Sequence, residues 1–151
     1  MLALLALRPL TAALDGSGDS ALRTWNVHKA LWSLEKQSRR GFRGYPVATV
    51  AFYGPDDQHA TKVAVGLVRV EGAEADPLER WFSEQTDARS DVVIARQIAE
   101  FIATHAAKSV VLVDGIIGCP HEERIDYPEG VACPQCPFWA NRDRWSGELL
   151  R

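Results

Sequence analysis

All three cysteines of this chain fall inside the eighteen residues from Cys119 to Cys136, together with one of its four histidines. Cys119-Pro120-His121 supplies one close pair of donors and Cys133-Pro134-Gln135-Cys136 another. The eleven residues between them, Glu122 to Ala132, contain Pro128 and Gly130, which favour a turn. A fold that brings the two pairs together creates a set of three sulfurs and one imidazole nitrogen, a donor set suited to tetrahedral zinc. The expected ligands are Cys119, His121, Cys133 and Cys136, within a metal segment spanning 115–145. An odd number of cysteines clustered beside a histidine fits metal binding in a reducing compartment better than a disulfide framework, so the expected location is cytoplasmic.

With 151 residues, 46% hydrophobic and 25% charged, the chain can bury one core but not comfortably two. The formal net charge of −3 gives no overall electrostatic case for nucleic acid, so a role of that kind needs a local basic patch. The apolar start, Met1 to Leu7, has no basic residue before it and is cut short by Arg8-Pro9. It is far below the roughly 20 apolar residues that cross a membrane, and it reads as a leader. Asp15 to Ser20 reads as a flexible linker. The expected organisation is therefore residues 1–20 as leader and linker, and 21–151 as a single domain without a membrane span.

Within that domain, Trp25, Val27, Leu31, Trp32 and Leu34 fall near helical spacing, predicting an amphipathic helix over Arg23–Arg40 that stops at Gly41 and Gly44. Val47–Tyr53 and Lys62–Val70 are dense in β-branched and aromatic residues and flank the turn residues Gly54-Pro55-Asp56-Asp57, which predicts an antiparallel hairpin. Gly66, inside the second strand, marks either a bulge or a close backbone approach. Asp76-Pro77 has the chemistry of a helix start, predicting a short helix through Leu78, Trp81 and Phe82. Ser90 or Asp91 opens a longer helix to His105, with Val93, Ile94, Ile98, Phe101 and Ile102 on its buried stripe. Ser109–Asp114 is a continuous apolar run and reads as a fully buried strand returning parallel to the sheet. The fold class expected is α+β, a mixed sheet packed with helices and a zinc-binding lobe at the C-terminal side.

If all four donors bind, the metal site is closed and structural. In ligand type it resembles zinc-ribbon and zinc-knuckle sites. A second resemblance is to zinc-dependent nucleobase deaminases, carried by His121-Glu122-Glu123 followed by Cys133-x-x-Cys136. That likeness implies an enzyme in which His121, Cys133 and Cys136 hold zinc and Glu123, with Glu122 beside it, moves the proton of a bound water. The sequence departs from that pattern in its short eleven-residue gap, in Ala132 where the family has proline, and in Cys119, which stands ready to fill the open position. The favoured expectation is an interaction module. For a macromolecular partner, two basic and aromatic clusters are candidates for nucleic acid: Arg39, Arg40 and Arg43 around Phe42, and Arg142, Arg144 and Trp145. The first of these also contrasts in sign with the acidic stretch Glu71, Glu74, Asp76, Glu79 and Glu84, which suits a protein partner or a homo-oligomer. Trp139 and Trp145 are expected to cover the metal site. No Gly-x-Ser-x-Gly or glycine-rich phosphate loop occurs.

Overall fold

The computed structural model describes residues 33–143 and 146–151. The leader, the linker, the first part of the expected N-terminal helix, Arg144 and Trp145 lie outside the described residues. Helix α1 covers 33–39, and its Leu34 is buried. Then follow β1 (Val47–Tyr53), β2 (Lys62–Val68), β3 (Leu78–Phe82), α2 (Val92–Thr104), β4 (Ser109–Ile116) and a single 3₁₀ turn, Pro137–Trp139. The four strands form one mixed sheet in the order β3-β2-β1-β4. β1 pairs antiparallel with β2, β2 antiparallel with β3, and β1 parallel with β4. The class is α+β, with the Cys/His cluster in the C-terminal region.

Alternation along the strands decides which face is covered. Ala48, Val50 and Phe52 of β1, Val63, Val65 and Leu67 of β2, and Val110 of β4 are all buried in one cluster with Leu34 and with Ile94, Ile98, Phe101 and Ile102 of α2. Asp91 starts α2 by accepting hydrogen bonds from the N–H groups of Val93 (3.0 Å) and Ile94 (3.1 Å), two of the donors a helix leaves unsatisfied. Its other oxygen accepts from Ser83 and Thr86. Val93 itself points away and is exposed, so the buried stripe is made by Ile94, Ala95, Ile98, Phe101 and Ile102.

Leu78–Phe82 is a strand, not the short helix expected after Asp76-Pro77. Five residues gain little as an isolated helix, whereas the open edge of β2 offers a full ladder, closed at its ends by Leu67 N–H to Pro77 O (3.0 Å) and Ser83 N–H to Thr61 O (2.9 Å). The period-two pattern agrees: Trp81 packs against the core, edge-on to Phe101, while Leu78 and Phe82 are exposed. β4 is likewise not fully buried. It is the other edge strand, and with only one face covered, Val111, Asp114 and Gly115 are exposed. Gly66 sits in regular register, so it marks a close approach and not a bulge: a Cβ there would lie 2.6 Å from the Cβ of Ala75.

Candidate metal centre

The end of β4 delivers the chain to the site. Leu112 pairs with Val50 and Ile116 with Phe52, so residues 113–115 bulge out of register, with Gly115 at φ +69°. The ladder to β1 then resumes through Ile117 N–H to Phe52 O (3.0 Å) and Gly54 N–H to Gly118 O (2.9 Å). Cys119 therefore starts from a fixed point at the C-terminal end of the strand. Cys133 and Cys136 come from a tight turn closed by Cys136 N–H to Cys133 O (3.3 Å) and continued into the 3₁₀ turn at Pro137.

The four expected donor residues meet. The sulfurs of Cys119, Cys133 and Cys136 and a ring nitrogen of His121 all lie within 4.8 Å of one another. His121 Nδ1 is 3.2 Å from Cys119 Sγ, 3.5 Å from Cys133 Sγ and 3.4 Å from Cys136 Sγ. Zinc bonds of about 2.3 Å to sulfur and about 2.0 Å to nitrogen, opened to a tetrahedral angle, would separate nitrogen from each sulfur by roughly 3.5 Å. The nitrogen thus stands almost equally far from three sulfurs, at the spacing one central ion imposes. Cys133 and Cys136 are buried, Cys119 and His121 half-buried, and all three cysteines are free thiols.

Burial pushes the Cys119 thiol well above its ordinary value; the N–H of His121 pulls the other way, and the neighbouring Cys136 and Cys133 add to the rise. Burial raises Cys136 as well, against a hydrogen bond with Cys119. Two buried sulfurs and one half-buried one this close together cannot all be thiolates without a cation to offset them. This Cys₃His cluster could hold a metal ion.

The carboxylates beside it are already engaged. Glu122 accepts from Lys62 Nζ (2.7 Å) and from the Arg80 guanidinium through both of its oxygens. The Lys62 hydrogen bond holds its pKa below the ordinary carboxylate value; burial opposes, and Arg80 adds to the lowering. Lys62 is the buried partner: its side chain is 5% exposed, and Nζ also donates to Pro120 O (3.0 Å) and lies 5.5 Å and 5.6 Å from the ring centres of Tyr53 and Phe82. Glu123 is exposed and accepts from the Gly130 N–H. Sequence reading missed Lys62 and Arg80 altogether. They stand 60 and 42 residues from Glu122, and no local pattern announces the pairing.

Trp139, expected over the metal site, is placed by its contacts with the sheet. It packs against the core, and its indole N–H donates to Gly54 O (2.8 Å), so Gly54 ties the β1–β2 turn to the lobe through both backbone groups. Of the basic candidates, Arg39, Arg40 and Arg43 are exposed next to α1, with Arg39 3.6 Å from Glu35. Arg142 is half-buried over the Phe138 ring, 4.3 Å from its centre, and donates to Gly147 O (2.9 Å). The Arg43 N–H is bonded to Ser109 Oγ at the start of β4, whereas Arg142 belongs to the lobe beyond the end of β4. Arg43 and Arg142 therefore sit toward opposite ends of β4, and Arg144 and Trp145 lie outside the described residues. Comparison with protein-family models, curated proteins and solved structures finds no match for this chain. Among the described residues no helix is long and apolar enough to cross a membrane.

Proposed function

We infer that this chain is a small intracellular interaction module whose C-terminal lobe is stapled by a structural zinc ion on Cys119, His121, Cys133 and Cys136. The observation that carries it is the near-equal spacing of His121 Nδ1 from three sulfurs, 3.2 to 3.5 Å, in a set that fills all four tetrahedral positions from the protein. Three thiols with one imidazole suit zinc above the harder divalent ions, which prefer oxygen. A catalytic zinc keeps a position for water and a carboxylate free to move its proton. Here Cys119 supplies a fourth protein donor where a water would be needed, Glu122 is paired with Lys62 and Arg80, and Glu123 accepts from the Gly130 N–H, which supports the structural reading. Free thiols at this density also suit a reducing compartment.

The test is metal content and spectroscopy on the purified full chain. One zinc per chain is expected, and cobalt in its place should give the intense visible bands of a tetrahedral, thiolate-rich site. Cys133→Ser should lose most of the bound metal, and ligation should contribute on the order of 10 kcal/mol to the ordering of the lobe at neutral pH. Wild-type protein that carries no metal, or a cobalt spectrum showing a bound water, would overturn this reading.

A further inference from the structure

Between β3 and the metal loop runs a cleft of about 770 Å³. Lys62 and Arg80 line it, and both donate to Glu122. Its walls include Phe82, 64% exposed, and Ile125, 76% exposed. Glu84 and Asp126 complete the charged lining, so two cations face three carboxylates and the cleft is left with one negative charge in excess. An apolar slot with acidic edges selects a partner that brings an apolar side chain flanked by cations.

The chain carries such a feature on its own surface. Phe42 is 69% exposed, and its ring is braced edge-on against Tyr45 at 5.3 Å. Arg39, Arg40 and Arg43, all exposed, flank it in the sequence, and Gly41 beside it takes φ +70°. One copy cannot use both surfaces on itself. Arg43 is anchored at Ser109, the first residue of β4, while the cleft is lined by Pro120 and Asp126 beyond its last residue, Ile116. From Ser109 to Ile116, β4 runs alongside Val47 to Phe52 of β1, which puts them roughly 17 Å apart along the strands.

We propose that a second copy of this chain is the partner, docking Phe42 and its arginines into the cleft walled by Phe82 and Ile125. This deepens the interaction-module reading and rests on it. The interface is head-to-tail: each copy offers a donor at one end of the sheet and an acceptor at the other. It is also small, so the association is weak, reversible and sensitive to salt.

Sedimentation of the metal-loaded full chain over a range of concentrations tests it. The mean mass should rise with concentration at low salt and fall back to that of the monomer at roughly 0.5 M salt. Phe42→Ser should weaken association at least tenfold. Arg40→Glu and Glu84→Arg should each be monomeric alone, and an equimolar mixture of the two should associate again, because each variant keeps the surface that the other lacks. Circular dichroism and metal content confirm that each variant folds. A metal-loaded wild type that stays monomeric at low salt overturns the proposal and leaves the zinc reading intact, even if the arginines then bind single-stranded DNA. Association that ignores salt, or a mixture that fails to re-associate, points to a symmetric contact and overturns it too. Protein that associates as described without carrying an ion would sustain the docking and overturn the zinc reading instead.

Discussion

Lys62 joins the two halves of this molecule, and its energetics follow from how little of it water reaches. Its side chain is 5% exposed, and its ammonium is satisfied by Pro120 O, by Glu122 and by the faces of Tyr53 and Phe82. Removing one member of a buried ion pair costs more than the pair is worth, because the remaining charge is left desolvated. Glu122 keeps Arg80 and is partly exposed, which softens the loss. Lys62→Met should therefore lower stability by about 2 kcal/mol in urea unfolding, below the roughly 3 to 5 kcal/mol of breaking a fully buried pair. A change under about 0.5 kcal/mol, the range of ordinary surface substitutions, would show the pair to be solvated. The acid limb supplies a second check. The folded pKa of Glu122 is depressed, so its contribution is present above the unfolded carboxylate value and is lost as pH falls through the folded one. Stability should fall less steeply below about pH 4.3 in Lys62→Met than in the wild type. Asp87 behaves alike. Burial pulls its pKa up, but hydrogen bonds from the Arg89 side chain and from the Arg89 and Ala60 N–H groups, with the Arg89 charge, bring it to about 2. Asp87→Asn should remove stability at neutral pH and flatten the loss between pH 4 and pH 2.

Elements were legible in the sequence where their stabilisation is local. The stripe of α2 and its Asp91 cap, the β1–β2 hairpin around Gly54, and the parallel return of β4 can all be read from neighbouring residues. The Cys₃His cluster was legible for the same reason, since each pair of donors is separated by no more than two residues. What escaped depends on distant partners. Leu78–Phe82 is a strand because β2 presents an unfilled edge, and Asp76-Pro77 beside it carries the chemistry of a helix start. The exposure of Val111 follows from β4 being an edge strand, a fact of strand order that an apolar run does not encode. Two substitutions test the elements directly. Asp91→Ala removes a cap that satisfies two helix N–H groups and two hydroxyls, and should cost about 1 to 2 kcal/mol in thermal or urea unfolding. Gly66→Ala places a methyl 2.6 Å from Ala75, so the 69–77 connection must shift, with an expected loss of about 1 to 3 kcal/mol. A neutral outcome there would mean that the connection gives way freely and that Gly66 is no packing requirement.

At the scale of the whole molecule, the apolar core and the Cys/His lobe stand on different footings. The core cluster draws on all of β1, β2 and α2, and needs no ion to exclude water. From Cys119 onward, by contrast, the buried hydrophobic residues among those described are Cys133 and Cys136, so the lobe has little apolar burial of its own to offset the entropy of ordering its backbone. Its attachments to the sheet are few: Gly54 to Gly118 and to Trp139, and the Lys62 and Arg80 clamp on Glu122. Chelation should therefore act unevenly. With zinc removed at neutral pH, hydrogen exchange is expected to quicken across 119–142 by at least tenfold, while β1, β2 and α2 keep their protection, and far-ultraviolet circular dichroism should change little. Trp139 should report the same event, since loosening the lobe breaks its bond to Gly54 and exposes its indole to water. Readding zinc, but not magnesium, should restore both signals, because magnesium does not take thiolate ligands. Uniform loss of protection over the sheet and α2 would instead mean that the ion supports the whole domain. Unchanged exchange at 119–142 would mean that the lobe holds its shape by the clamp and Trp139 alone.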